Sequence, residues 1–279
     1  MKNSLIIVFV LATSICNAQD IYINKVWYFG DNQFYIYLNY NEGYDWKSHE
    51  AIEDYLGEPR TIEFESSRRS MPNDIAKKYF NMPWDSDLWL FDSKSNSKIG
   101  TLNFAGVEYY EDMIESSYIA VFNIDNFQQP SSFVGKDYYC ISSNATSNLN
   151  TINPKTVNSD AFRSELQNKF GFKAEMALRT SSIENEDITL TLCSFYGDNY
   201  SNNSVLMEST NGKNTILTQI LQDEYVMWDM IFTPLNCNDK PVLIMEMGVP
   251  ETDNHWTEIG VFDGTTYKLQ STTKMVKVK

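Results

Sequence analysis

Side chains alternate with a period of two along most of this chain, and that constrains the fold more than any other feature. Successive residues of a strand point to opposite faces of a sheet, whereas a helix repeats every 3.6 residues. Ile21-Tyr22-Ile23-Asn24-Lys25-Val26-Trp27-Tyr28-Phe29 is followed by Gly30-Asp31-Asn32 and then Phe34-Tyr35-Ile36-Tyr37-Leu38, the pattern of a β-hairpin. Further strands are predicted at 87–92, 97–104, 118–124, 137–142, 172–179, 187–196, 203–208, 214–221, 226–233, 241–248, 256–262 and 265–270. Turn residues separate them at Asp198-Asn199, Asn211-Gly212, 236–239 and Asp263-Gly264. Asn-Gly and Asp-Gly are the strongest of these signals, since both positions accept the positive φ of a tight hairpin. Seventeen tyrosines and sixteen phenylalanines suit pleated, half-buried surfaces.

Helical signals are few. Ser159 is placed to cap a helix from Asp160, with Phe162, Leu166 and Phe170 on one stripe and Gly171 as its stop. Shorter helices are expected at Ser48–Leu56 and Asp74–Phe80. The expected class is therefore mainly β, antiparallel sheets in a sandwich or propeller-like arrangement with a few short helices.

Residues 142–158 are rich in Ser, Asn and Thr and hold Pro154 but neither period, so they read as a loop or linker. They divide a β-rich unit at 19–141 from another at 159–279. Tyr28-Phe29-Gly30-Asp31-Asn32 resembles Phe195-Tyr196-Gly197-Asp198-Asn199, which raises two related halves as one expectation. The simpler explanation is that Gly-Asp-Asn is good turn chemistry after an aromatic strand end.

The amino terminus carries an address. Lys2 supplies a positive charge, Leu5–Ala12 is an apolar octet, and Cys16-Asn17-Ala18 offers small residues before Gln19. That is the layout of a secretory signal peptide at 1–18. The octet falls far short of the ~20 apolar residues that span a bilayer, and no later segment approaches that length. Lipidation at Cys16 is the rival, but it wants a small residue before the cysteine and Ile15 is bulky. The protein is thus expected to be secreted or periplasmic, without an integral membrane segment.

A net charge of −15 repels phosphates, which argues against nucleic acid and anionic lipid as partners. A basic protein would be drawn in. Downstream of the leader stand Cys140, Cys193 and Cys237, with no CxxC among them. One disulfide with a leftover thiol and three buried thiols are equally open.

Chemistry is sparse in the motifs. The two histidines, His49 and His255, lie in no recognisable frame and read as surface residues, and there is no Gly-x-Ser-x-Gly or His-Glu-x-x-His. No catalytic residue, cofactor or metal site is assigned; Asp85-Ser86-Asp87 and 236–239 lack the spacing of a calcium loop. Asp229 and Glu246, acids inside apolar strands, form an alternative pair of the kind glycoside hydrolysis uses. Trp84 beside Asp85 and Asp87, and Trp256 after an acidic turn, are the candidate binding residues, since exposed indoles beside acids stack on sugars or anchor proteins.

Leu235-Asn236-Cys237-Asn238-Asp239-Lys240-Pro241-Val242-Leu243-Ile244 followed by Trp256-Thr257-Glu258-Ile259-Gly260-Val261-Phe262-Asp263-Gly264 resembles an FG-GAP or VCBS-type repeat. The resemblance covers this carboxy-terminal stretch only and implies propeller-like blades used for extracellular binding. Cys237 stands where the family's calcium-binding acids cluster, so no metal is carried over.

Together these features describe an exported acidic binding protein of the cell envelope, neutralising a basic protein as an inhibitor or immunity factor would. The alternative is a carbohydrate-binding or glycoside-hydrolysing protein; a structural envelope component is the third reading. Export is directly testable. Mass spectrometry of the native protein should find Gln19 as its first residue; a chain starting at Met1, or at a lipid-bearing Cys16, would contradict it.

Overall fold

The alternating strands of the first half curl until the sheet meets itself. The computed structural model describes residues 19–279 except 31, 64–65, 114–115, 126, 128–136, 150–154, 157–161, 172–177, 186–187, 198–200, 251, 253, 273–274 and 279. The leader at 1–18, the Ser159 cap and the Asp198-Asn199 turn therefore lie outside the described residues.

The first strands are β1 (Gln19–Ile21), β2 (Ile23–Gly30), β3 (Gln33–Tyr37), β4 (Arg60–Glu63), β5 (Ser66–Met71), β6 (Leu88–Asp92), β7 (Lys98–Glu111), β8 (Ser116–Asn123) and β9 (Tyr138–Ser142). Six of them run in the order β7-β6-β9-β2-β3-β8, and a β7–β8 pairing closes the ring into an antiparallel barrel. The length of β7 makes closure work. Its start pairs with β6 through Leu88↔Leu102, its end pairs with β5 through Met71↔Val107, and β8 lies along its other edge. A bulge between Phe104 and Gly106 bends the strand, with Gly106 at φ +153°, where a side chain would be strained. Inward residues such as Val26, Phe34, Ile36, Leu90 and Phe122 fill the barrel, as expected at this small strand number. Two short helices, α1 (His49–Glu53) and α2 (Asn73–Tyr79), add Ile52 and Ala76 to that core.

In the second half β10 (Lys155–Thr156), β11 (Leu178–Asn185), β12 (Ile188–Tyr196), β13 (Asn202–Thr210) and β14 (Lys213–Asp223) form one antiparallel sheet. A four-stranded meander follows: β15 (Val226–Cys237), β16 (Lys240–Gly248), β17 (His255–Phe262) and β18 (Tyr267–Ser271). The Asn211-Gly212 and Asn238-Asp239 turns have positive φ at both residues, as tight hairpins require. Leu190, Leu192 and Leu206 of one sheet meet Met227, Phe232 and Met245 of the other, giving a sandwich. Helix α3 (Arg163–Phe170) ends at Gly171 with φ +68° and covers the outside of β12 and β13 through Phe162 and Leu166.

The opposite face of the meander packs on the barrel. Ile231, Leu235, Val242, Ile244 and Ile259 meet Ile21, Ile23, Tyr139 and Ile141 in one apolar seam. Beside it β1 pairs with β19 (Val276–Val278), so the two ends of the described chain zip together. The layers are thus barrel, meander, second sheet and α3.

The class is mainly β with antiparallel sheets and few short helices, as expected. The halves do not share a topology: one is a closed barrel and the other an open sandwich. Of the strand expected at 172–179, residues 172–177 lie outside the described residues; β11 is described from Leu178 to Asn185. Part of 142–158 is structural: Ala145, in the 3-10 turn Ser143–Asn148, is fully buried in the seam, and Leu149 bridges to Leu235. No helix among the described residues is long and apolar enough to cross a membrane.

Ile244 has no solvent exposure and sits in the seam. Ile244→Ala should cost about 2–5 kcal/mol in chemical denaturation. Calorimetry of the parent should show one transition; two separated transitions would mean that the halves melt independently.

Candidate functional site

Alternation turns every second residue of β2 outward, and that one face passes from core to solvent. Ile23 is buried in the seam, Lys25 is only 6% exposed at its rim, and Trp27 is 38% exposed beyond it. Beside Lys25 and Trp27 a cleft of about 570 Å³ opens between the barrel and the meander. That volume lies within the ~300–1,000 Å³ typical of ligand pockets. From the barrel come Asn24, Lys25, Trp27, Tyr37, Asn39, Tyr40, Trp46 and Tyr118; from the meander come Glu246, His255, Trp256, Thr257 and Thr272.

Lys25 is the electrostatic centre. Its ammonium donates to Glu246 Oε1, lies 3.6 Å from Asp137 Oδ1, and sits 4.3 Å from the centre of the Trp27 ring. A buried ammonium needs such partners, because removing the charge from water is expensive. The pair also ties β2 to β16 across the mouth of the seam.

The barrel wall is aromatic. Asp45 accepts from the Lys47 amide at 2.9 Å and Ser48 Oγ accepts from the Asp45 amide at 3.4 Å, a capping box that fixes the 3-10 turn Trp46–Ser48. Trp46 is thereby laid flat on His49, with centroids 4.7 Å apart and planes at 6°. His49 Nδ1 is 2.6 Å from the Tyr118 hydroxyl. Burial, more than the neighbouring Tyr40 and Tyr109, drives the Tyr118 phenol well above its ordinary range. Burial likewise pushes Tyr40 up to about 12, with Tyr109 and Asp45 adding to it. Both phenols are therefore neutral, hydrogen-bonding groups at physiological pH. The Tyr40 hydroxyl is buried with no hydrogen-bond partner. On the opposite wall Trp256 packs edge-on against Tyr225 at 5.6 Å. Asn39 Nδ2 donates to Thr272 Oγ1 at 3.0 Å and so joins the two walls.

The sequence-predicted residues divide. Trp256 and Glu246 line the cleft. Asp229 is the register partner of Glu246 on β15, but it is exposed and outside the lining, and its Oδ1 accepts from the Met230 amide at 2.8 Å. Trp84 is half-buried against the barrel core and meets Phe104 edge-on at 5.8 Å. Asp85 is exposed 3.6 Å from Lys77, and Asp87 is exposed in the same loop, so neither joins the cleft. His255 is exposed at the rim, whereas His49 is half-buried, because Trp46 covers it. Lys25, Trp27 and Trp46 were missed. The signal for Trp27 was a bulky indole on the outward face of a barrel strand.

The remaining chemistry is quiet. Cys140, Cys193 and Cys237 are buried free thiols. Burial pushes Cys193 up to about 12, with Glu165 adding to it, and raises Cys140 further, so neither is a ready nucleophile. Among the described residues no group of three or more His, Cys, Asp or Glu side chains is placed to hold a metal. The stretch resembling an FG-GAP or VCBS repeat falls on the end of β15, β16, β17 and the turn after it. No protein-family model, curated protein or solved structure matches this chain.

A double-mutant cycle tests the ion pair. Lys25→Met combined with Glu246→Gln should give a coupling of about 1–2 kcal/mol, between the values for exposed and fully buried pairs. A coupling near zero would mean that Lys25 is held by Asp137 and Trp27 rather than by Glu246.

Proposed function

We propose that the protein is an exported carbohydrate-binding protein whose cleft holds a saccharide. One observation carries the proposal: three indoles, Trp27, Trp46 and Trp256, contributed by both halves of the chain, line the same cleft. A sugar ring offers an apolar face for stacking and a rim of hydroxyls for hydrogen bonds. The cleft has matching groups in the indole faces, the Asn39 and Thr272 side chains, the phenols of Tyr40 and Tyr118, and the Glu246 carboxylate.

Binding is favoured over cleavage by the acids. Hydrolysis needs two carboxyl groups facing each other across the scissile bond. Glu246 is occupied by Lys25, and Asp229 stands next to it on the neighbouring strand rather than on the opposite wall.

The net charge of −15 favours a second reading, capture of a basic protein by the acidic surface. The two readings separate in one experiment. Trp46 and Trp27 are 50% and 38% exposed, so removing them spares the core. In affinity electrophoresis through neutral polysaccharides, Trp46→Ala or Trp27→Ala should weaken retardation roughly 10- to 100-fold, the range of a binding hot spot. Retention of basic secreted proteins that vanishes in high salt and survives both substitutions would favour the second reading and overturn the first.

A further inference from the structure

The aromatic surface does not stop at the cleft. Past Trp27 the outward face of β2 continues to Phe29, and the outward face of the neighbouring β3 carries Tyr37 and Tyr35. Trp27 stacks with Tyr35 at 6.4 Å and 19°, and meets Tyr37 edge-on at 5.9 Å. Tyr35 lies 4.2 Å from Phe29, and Phe29 lies 6.0 Å from Tyr110 on β7. A continuous band of rings therefore leads from the cleft across the outside of the barrel.

Two features suit this band to rigid, flat contacts. First, its two β2 rings rest on cations. The Lys25 ammonium is 4.3 Å from the Trp27 ring centre, and the Arg68 guanidinium is 4.1 Å from that of Phe29. Each cation is buried and paired with an acid, Lys25 with Glu246 and Arg68 with Glu108 at 3.1 Å. The cation over each ring and the neighbouring Tyr35 hold the two side chains in place, which lowers the entropy cost of using their remaining surface. Second, aliphatic surface is withdrawn. Ile119 and Val121 of β8, in register with Tyr37 and Tyr35 on the same outward face, are buried. Among the described residues Trp27 is the most exposed large hydrophobic side chain of β2, β3 and β8. Protein interfaces mix aromatic anchors with aliphatic surface; on β2, β3 and β8 the aromatic rings stand in a row without it, and exposed aliphatic surface returns past Tyr110, at Met113.

We infer that the saccharide is a linear polymer that leaves the cleft over Trp27 and continues along Tyr35 and Phe29, so that the band forms outer subsites. The inference rests on the cleft reading above and adds a substrate class to it: an extended neutral glycan rather than a free mono- or disaccharide. Continuity decides the direction, because Trp27 and Tyr37 belong to both the cleft and the band. Neutrality follows from the pairing of both cations, which leaves no uncompensated positive charge for an acidic sugar, and from the acidic protein as a whole.

The test uses four neutral polysaccharides as probes: a β-1,3-glucan, a β-1,4-xylan, a β-1,4-mannan and an α-1,4-glucan, each with its trisaccharide and hexasaccharide. For the polymer that retards the protein, calorimetry should show the hexasaccharide binding about tenfold more tightly than the trisaccharide. Tyr35→Ala and Phe29→Ala should remove that gain and leave trisaccharide affinity within about twofold. Tyr35→Phe keeps the ring and should keep the gain, which separates lost stacking from a disturbed barrel. Trp46→Ala should weaken both oligosaccharides. Equal affinity for the two lengths, or a Tyr35→Ala loss that Tyr35→Phe shares, overturns the band while leaving the cleft reading intact. Retardation by none of the four polymers overturns both. Loss of a basic protein ligand on Tyr35→Ala, with no glycan bound, assigns the band to a protein interface and also overturns the inference.

Discussion

The apolar seam between the barrel and the four-stranded meander is the contact on which the rest of the molecule depends. Ile21, Ile23, Tyr139 and Ile141 on one side and Ile231, Val242, Ile244 and Ile259 on the other are buried in one shared cluster, so neither sheet would keep this face dry alone. Burying such side chains is worth roughly 1.5–3 kcal/mol apiece. The seam also creates the cleft, because the two surfaces diverge where isoleucine gives way to Lys25. The ion pair to Glu246 sits at that point of divergence, partly shielded and still hydrated on one side. Specific geometry, rather than a large gain in stability, is what such a pair contributes.

Local chemistry explains which parts of this architecture were legible beforehand. The Asn211-Gly212 hairpin, the stop at Gly171 and the alternation of β12, β13, β16 and β17 are set by neighbours in sequence, and all stand where expected. Barrel closure is different in kind. It depends on Gly106 bending β7 so that one strand can serve β5, β6 and β8, and no short-range pattern announces a pairing of that sort. Strand β5, Ser-Ser-Arg-Arg-Ser-Met, is too polar to look like a strand; it is held by its ladder to β7 and by the salt bridge of Arg68 to Glu108. With β4 on its other side, β5 is an interior strand whose tertiary context overrides β-propensity.

The cleft was half legible for the same reason. Glu246 stood out as an acid inside an apolar strand and Trp256 as an indole after an acidic turn, and both line the cleft. Trp84 drew notice from its acidic neighbours, yet its ring turns toward the barrel core. Lys25 and Trp27 were hidden inside a strand whose alternation gives both an outward position without revealing what lies outside. For β2 that outside is a second sheet at Lys25 and solvent from Trp27 onward. Period-two patterning reports which side of a strand a residue takes, never what covers that side.

Acidity and a neutral ligand are compatible once the local charges are followed. The charge of −15 belongs to the whole surface, whereas the cations that touch the aromatic band are each neutralised where they stand. The two β2 rings of the band each contact a paired cation, so the band carries no net charge of its own. Such a surface discriminates by shape and by the apolar face of its ligand rather than by long-range attraction. On the proposed reading, the acidic charge of the whole surface would repel nucleic acid and anionic surfaces while stacking supplied the affinity for a neutral ligand. Lys25 takes part in both arrangements: it meets Glu246 at the mouth of the seam and contacts the first ring outside it, so the geometry of the junction and of the aromatic band is tied to one side chain.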